Sequence, residues 1–329
     1  MSEPPVPAFP GELGRPAAER GGTDGLPAFG GSARPGALVP GAAGGDTPRQ
    51  DPGRSPTTSW PLWTVPVVLI GALILTTIAS LLIDVPAAAL GATVTGSHIS
   101  PGIQIADTFI QDVCFVLVSI WFAQLGGRQV ASWQFGLRRP PRGWWRAIGL
   151  IGLLIACFLV LIAVWQEAFN PSREKLLEQL GTNEGAALLV LSAALTCIVA
   201  PISEEFLFRG YIFTALRNWR GTPPAALITG LIFGGVHAGS APALDLIPLA
   251  GLGFGLCLLY RYTGSLYPCF AAHALNNCVA FGSLEGWDWQ VPLLIAGSLA
   301  GITCVVVLFK RVGLIADAAA EQSLTAAVP

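Results

Sequence analysis

The sequence predicts an all-α fold, a polytopic membrane bundle of about eight transmembrane helices. Three observations carry this expectation. Hydrophobic residues make up 53% of the 329 residues and charged residues only 12%, about half the share of a soluble domain, which is roughly 25%. Mean hydropathy is +0.61, so there is too little polar surface to coat a water-soluble globule. Apolar runs also recur near the length, roughly 20 residues, that carries a helix across a hydrocarbon core of about 30 Å. These runs are Leu62–Ile83, Ile103–Leu125, Trp144–Trp165, Ala186–Leu216, Ala225–Gly239, Leu244–Tyr260, Leu266–Phe281 and Val291–Phe309.

Residues 1–59 are rich in Pro, Gly, Ala and Arg and lack hydrophobic periodicity. Such a stretch buries too little apolar surface to offset its ordering entropy, and is expected to be a disordered cytoplasmic tail. No basic n-region precedes an apolar h-region there, so the first helix is expected to serve as its own insertion signal. The helical domain is expected over 60–312, with a short tail at 313–329. Trp60, Trp63, Trp144, Trp145 and Trp165 stand near run ends, the position of interfacial aromatics. The fourth run, about 31 residues, would reach roughly 46 Å as one helix, too long for a straight crossing. Pro201 lacks an amide hydrogen and is expected to kink it just before two glutamates. The fifth and seventh runs are short, and are expected to be tilted, broken or buried behind other helices. Gly230, Gly234, Gly235 and Gly239 leave bare patches on the fifth, while Gly251 and Gly255 offer a small-residue face on the sixth.

Loop charges set the expected orientation. Arg128, Arg138, Arg139 and Arg142 lie in the second loop, with Arg146 just inside the next run. Arg217 and Arg220 follow the fourth run, Arg261 the sixth, and Lys310 and Arg311 the eighth, while Arg49 and Arg54 precede the first. The first, fifth and seventh loops have no Lys or Arg. Only the third loop breaks the contrast, with Arg173 and Lys175 among Glu167, Glu174, Glu178 and Glu184. The pattern predicts a multi-pass protein, expected in the plasma membrane, with both termini cytoplasmic and the paired glutamates in the cytoplasmic half of the fourth span. The lipid bilayer is one expected partner. A net charge of −2 without a basic tract gives no reason to expect nucleic acid. Cys114, Cys157, Cys197, Cys257, Cys269, Cys278 and Cys304 all fall in apolar runs without CxxC or CxxH spacing, and are expected to be small core- or lipid-facing residues.

The chemistry concentrates in Pro201-Ile202-Ser203-Glu204-Glu205-Phe206-Leu207-Phe208-Arg209-Gly210. Charge inside an apolar helix is costly, so such a trio marks a candidate functional site. Glu205 and Arg209 are four apart and share a helix face. Glu204 then stands about 100° round the helix without a partner, the situation in which a carboxylate becomes a proton acceptor. Of three histidines, His98 sits beside Gly96 and Ser97 and is expected to be a plain loop residue. His237 lies in an apolar run one turn after Phe233, and His273 lies one turn before Asn277. Polar residues in three separate apolar helices predict one shared pocket.

Taken in order, Glu204-Glu205-x-x-x-Arg209, Phe233-x-x-x-His237 and His273-x-x-x-Asn277 resemble the CPBP intramembrane proteases. These are the CAAX prenyl endopeptidases with their bacteriocin-processing and immunity relatives, also called the Abi family. The resemblance covers about residues 184–282. It implies a metal-independent glutamate protease with no cofactor and no metal ligand, acting on a membrane-associated peptide or protein at the cytoplasmic side. By position, Glu204 is the general base that activates water and His237 holds that water. His273 and Asn277 stabilise the oxyanion, while Glu205, Arg209 and Phe233 orient the site. Either glutamate can be the base, since two adjacent carboxylates can share a proton. Other readings stay open: a zinc site on Glu and His ligands, a non-enzymatic immunity or scaffold protein, and a Glu/His proton relay in a transporter. HExxH, GxSxG, GxGD and P-loop motifs do not occur in the sequence.

Overall fold

The computed structural model describes residues 60–95, 99–125, 130–169 and 185–311. The tail at 1–59, His98, Arg128, the loop with Arg173 and Lys175, and the tail at 313–329 lie outside the described residues. Among the described residues there are helices and no strand. The helices are α1 (Thr64–Ala89), α2 (Pro101–Ala123), α3 (Trp144–Phe169), α4 (Ala186–Arg220), α5 (Thr222–Val236), α6 (Leu246–Thr263), α7 (Tyr267–Leu284) and α8 (Gln290–Arg311). Six of these are long and apolar enough to cross a membrane: α1, α2, α3, α4, α8, and α6 together with the 3-10 turn at Ala243–Asp245 that leads into it. The chain is thus an integral, multi-pass helical bundle.

The two helices that fall short are the two whose runs are short in the sequence. α5 has 15 residues, about 22 Å at 1.5 Å per residue. It opens on Pro223 and Pro224, whose missing amides cost nothing in a first turn. α7 carries His273, Asn276 and Asn277 through its middle, and most of its first two turns is buried against other helices. By contrast α1, α3 and α8 turn Leu82, Leu153, Val160 and Leu293 outward at 51–75% or more of their full exposure in a belt of apolar side chains, the surface that lipid tails cover.

The buried rod is α4. Its 35 residues are not one regular helix. α-helical turns at Ala186–Ala194, Ala200–Glu205 and Thr214–Arg220 alternate with π-helical turns at Leu195–Val199 and Phe206–Phe213. The expected kink at Pro201 therefore takes the form of a widened turn directly before the proline, where the Ala200 amide bonds to Leu195 O. Extra residues in a π turn shift the phase of every side chain beyond it, and such turns cluster at functional sites. From Phe206 to Leu216 each side chain is buried.

Close backbone approach seats α5 on α6. A methyl on Gly230 would stand 2.7 Å from Ala250 O and 2.8 Å from Phe254 N, and one on Gly234 would strike Leu246 O. Gly235 and Gly239 face open space, so only one of the two bare stripes is a packing face. The Gly251 and Gly255 face is not free for a second chain, since Leu161 and Leu154 of α3 fill it. Trp60 likewise departs from an interfacial role. It is 5% exposed, stacked on Tyr211 at 4.5 Å and tilted against Phe135 at 4.9 Å. Five of the seven cysteines are buried, while Cys157 and Cys304 are exposed on α3 and α8.

Successive helices run antiparallel, as the pairings Gly71 with Val118, Leu154 with Gly255, Gly230 with Ala250, Cys269 with Leu256 and Cys278 with Ser298 require. One end of the bundle holds Arg138, Arg139, Arg142, Arg217, Arg220 and Arg261, with Lys310 and Arg311 at the last turn of α8. Arg138 Nε donates to Gly264 O at 2.9 Å and Arg142 to Tyr262 O at 3.1 Å, tying the second loop to the end of α6. The opposite end has Asp84, Glu167, Asp245, Glu285 and Asp288, and no Lys or Arg among the described residues.

Candidate active site

α4, α5, α6 and α7 bring the expected residues to one place. Glu205 and Arg209 are both fully buried and pair at 2.7 Å. The guanidinium also donates to Gly253 O on α6 at 3.1 Å and lies over the Phe233 ring at 4.6 Å. A charge this deep persists where hydrogen bonds and an opposite charge replace water. Phe233, 1% exposed, stands between that guanidinium and both imidazoles, with ring distances of 4.9 Å to His237 and 5.7 Å to His273.

His273 joins the two glutamates. Its Nδ1 bonds Glu205 Oε1 at 2.9 Å, and its Nε2 lies 3.9 Å from Glu204 Oε2, too far for a hydrogen bond. A carboxylate accepts, so Nδ1 carries hydrogen and Nε2 of the neutral ring bears the lone pair. His237 does not lie within a helix. It caps the C-terminus of α5, and its Nδ1 sits 2.7 Å from Phe233 O. That carbonyl can only accept, which again leaves the Nε2 lone pair free. Asn277 is held differently from a free donor. Its Nδ2 donates to Thr196 O at 2.9 Å, within the first π turn of α4, and Asn276 donates to its Oδ1 at 3.2 Å.

Glu204, whose side chain is 13% exposed, lines a cavity of about 540 Å³ with Phe233, His237, His273, Asn276 and Asn277. Glu205 and Arg209 are behind it and do not line it. The two glutamates thus differ in setting: one is locked by Arg209 and His273, the other faces open volume. α4 presents Thr196, Ala200 and Glu204 to the cavity at intervals of four.

Sequence reasoning passes over three residues. Asp112 on α2 is 2% exposed and accepts a hydrogen bond from Ser203 Oγ, next to Glu204. Its other oxygen, Oδ2, has no partner among the described residues. Asp112 is a lone acid in an apolar run, the signal that singles out the glutamates. Ser203, between a proline and the glutamates, and Asn276, next to Asn277, carry no separate signal. Among the described residues no group of three or more His, Cys, Asp or Glu side chains is disposed to hold a metal ion.

A buried Glu–Arg–His cluster behind a cavity-facing glutamate, in a polytopic helical bundle, is the setting in which comparison with known proteins becomes informative. Residues 186–279, which hold every one of these side chains except Asp112, match the family described as type II CAAX prenyl endopeptidase, Rce1-like. The chain carries a segment of that family. Among curated proteins it is 33% identical over 148 residues to "Putative membrane peptidase YdiL" of Bacillus subtilis, covering 42% of this chain and 59% of that protein. An uncharacterized protein of Mycoplasma capricolum is 28% identical over 93 residues, covering 28% of this chain and 27% of the relative. The UPF0177 protein YxdF of Lactococcus lactis is 22% identical over 171 residues, which are 50% of this chain and 94% of the relative. The chain therefore spans less than two thirds of the length of the first two relatives. No solved structure matches it.

Proposed function

We propose that this protein is a membrane endopeptidase in which Glu204, without a metal ion, activates a water molecule for attack on a peptide bond. The observation that carries this is the contrast between the two carboxylates. Glu205 is fully buried and held by Arg209 and His273, while Glu204 lines the cavity. The Rce1-like match and the relative named a membrane peptidase support a protease at the level of the family.

In the proposed reaction a water sits between Glu204 and the Nε2 lone pair of His237. Glu204 takes one of its protons as the oxygen bonds to the scissile carbonyl carbon. The resulting oxyanion is met by the second amide hydrogen of Asn277 and by His273 in its doubly protonated form, for which Glu205 is the counter-charge. Collapse of the intermediate breaks the C–N bond, and Glu204 returns its proton to the leaving amine. Arg209 and Phe233 keep Glu205 and both imidazoles in register. The substrate is a membrane-associated peptide or protein.

The test is cleavage by the purified full chain in lipid, scored against a library of membrane-anchored peptides. Glu204→Gln is expected to lower the rate by about 10²- to 10⁴-fold, the usual worth of a general base, while the thermal transition is kept. Cleavage by the unsubstituted chain is expected to persist in excess chelator. Full activity of Glu204→Gln would remove Glu204 as the base, and loss of activity on chelation would replace this mechanism with a zinc-dependent one.

A further inference from the structure

The cavity has a direction. From Glu204 and His273 its wall continues through Thr77 and Asp84 in the second half of α1, Gln104 and Asp107 near the start of α2, and Ser240 just beyond α5. All of these lie toward the end where α1, α3, α5 and α7 finish. No described residue of the 130–143 loop, of 217–221 or of 261–266, at the opposite end, contributes to it.

The two ends differ sharply in charge. The arginines and Lys310 gather at the end away from the cavity, whereas the cavity end carries Asp245, Glu285 and Asp288 and no described Lys or Arg. Short arginine-rich loops stay in the cytoplasm. The end to which the cavity runs is therefore the non-cytoplasmic one. The side chains along the way suit a wet passage. Asp84, Gln104 and Asp107 each hold a buried oxygen without a hydrogen-bond partner among the described residues, on helices whose other faces are apolar and exposed. Polar groups persist at such depth where they line a water-filled path.

Resting on the protease reading above, we propose that water and substrate reach Glu204 from the non-cytoplasmic face. The substrate class is then a polypeptide segment exposed on that face or entering the membrane from it, such as an exported or membrane-anchored chain. Cleavage at the cytoplasmic side, the expectation from the resemblance, is replaced by cleavage from the other side of the same bundle.

A labelling experiment decides this without using activity. Ser240→Cys at the cavity wall, Asp288→Cys at the exposed turn before α8, and Arg139→Cys in the basic loop are expressed separately as full chains in spheroplasts. Each is treated with a membrane-impermeant maleimide before or after permeabilisation, and labelling of the unsubstituted chain is subtracted for its native cysteines. The expected result is labelling of the first two in intact spheroplasts and of Arg139→Cys only after permeabilisation. The reverse pattern, or labelling of both ends in intact spheroplasts, overturns the proposal. Labelling of Asp288→Cys but not of a folded Ser240→Cys gives the expected face but overturns access through the cavity. If Ser240→Cys does not accumulate, a block of Asp288→Cys labelling in intact spheroplasts overturns the proposal alone. Failure of the glutamate mechanism would show as undiminished cleavage by Glu204→Gln, and leaves this labelling result unaffected.

Discussion

Arg209 has the most demanding position in the molecule. It is fully buried, its charge is met by Glu205 at 2.7 Å, one amine reaches Gly253 O at 3.1 Å, and its flat face lies over Phe233. Removing one member of a buried pair leaves the other as an uncompensated charge. Arg209→Ala is therefore expected to destabilise the fold by about 3–5 kcal/mol. Arg209→Lys keeps the charge but loses the planar fork, and is expected to recover only part of that. Thermal unfolding in detergent micelles checks both, and an unchanged transition for Arg209→Ala would mean that Glu205 is satisfied some other way. The Glu205–Arg209 pair is legible in the sequence because a spacing of four is local geometry. The contact between His273 and Glu205 is not, since it joins residues 68 apart. Nor is the bond from Ser203 to Asp112, 91 residues apart. Spacing along the chain carries no information about which separate helices meet.

Among elements, α5 and α6 form the seat that sets Phe233 and His237 against α4. Gly234 is where the α6 backbone comes closest, so a methyl there would strike Leu246 O and Ala250. Gly234→Ala is expected to cost about 1–3 kcal/mol, as overpacking does, and to lower activity by displacing His237. Gly235→Ala, with nothing within 4 Å, is expected to be neutral or to stabilise by up to about 1 kcal/mol, through helix propensity. Thermal transitions and rates measured side by side separate the two, and equal behaviour would contradict the packing. The sequence shows that glycines cluster here, but not which stripe of them meets a neighbour. Similarly, Pro201 announces a disturbance in α4, while the two π turns around the glutamates arise from how that helix fits among five others. A hydrogen-bond register is a compromise with packing, and no local preference of Leu195–Val199 or Phe206–Phe213 dictates it.

At the scale of the whole molecule, lipid rather than water is the solvent for α1, α3 and α8. Their exposed apolar residues predict that the protein stays with the membrane fraction through an alkaline carbonate wash. Its appearance in the supernatant would argue against a spanning bundle. The segregation of arginines from acids between the two ends is also a property of the whole, because it emerges only once the helices alternate in direction.

From the sequence alone came the helical membrane class, the eight helices to within a few residues at most ends, and the short list of ionisable side chains, because hydrophobic run length and the cost of intramembrane charge are local quantities. Three matters were decided only by the tertiary structure: which carboxylate is locked and which faces open volume, that Asp112 stands behind Ser203, and toward which end the cavity leads. Each depends on the phase and depth at which separate helices pack, and those are settled by side-chain fit across the bundle rather than by any stretch of chain.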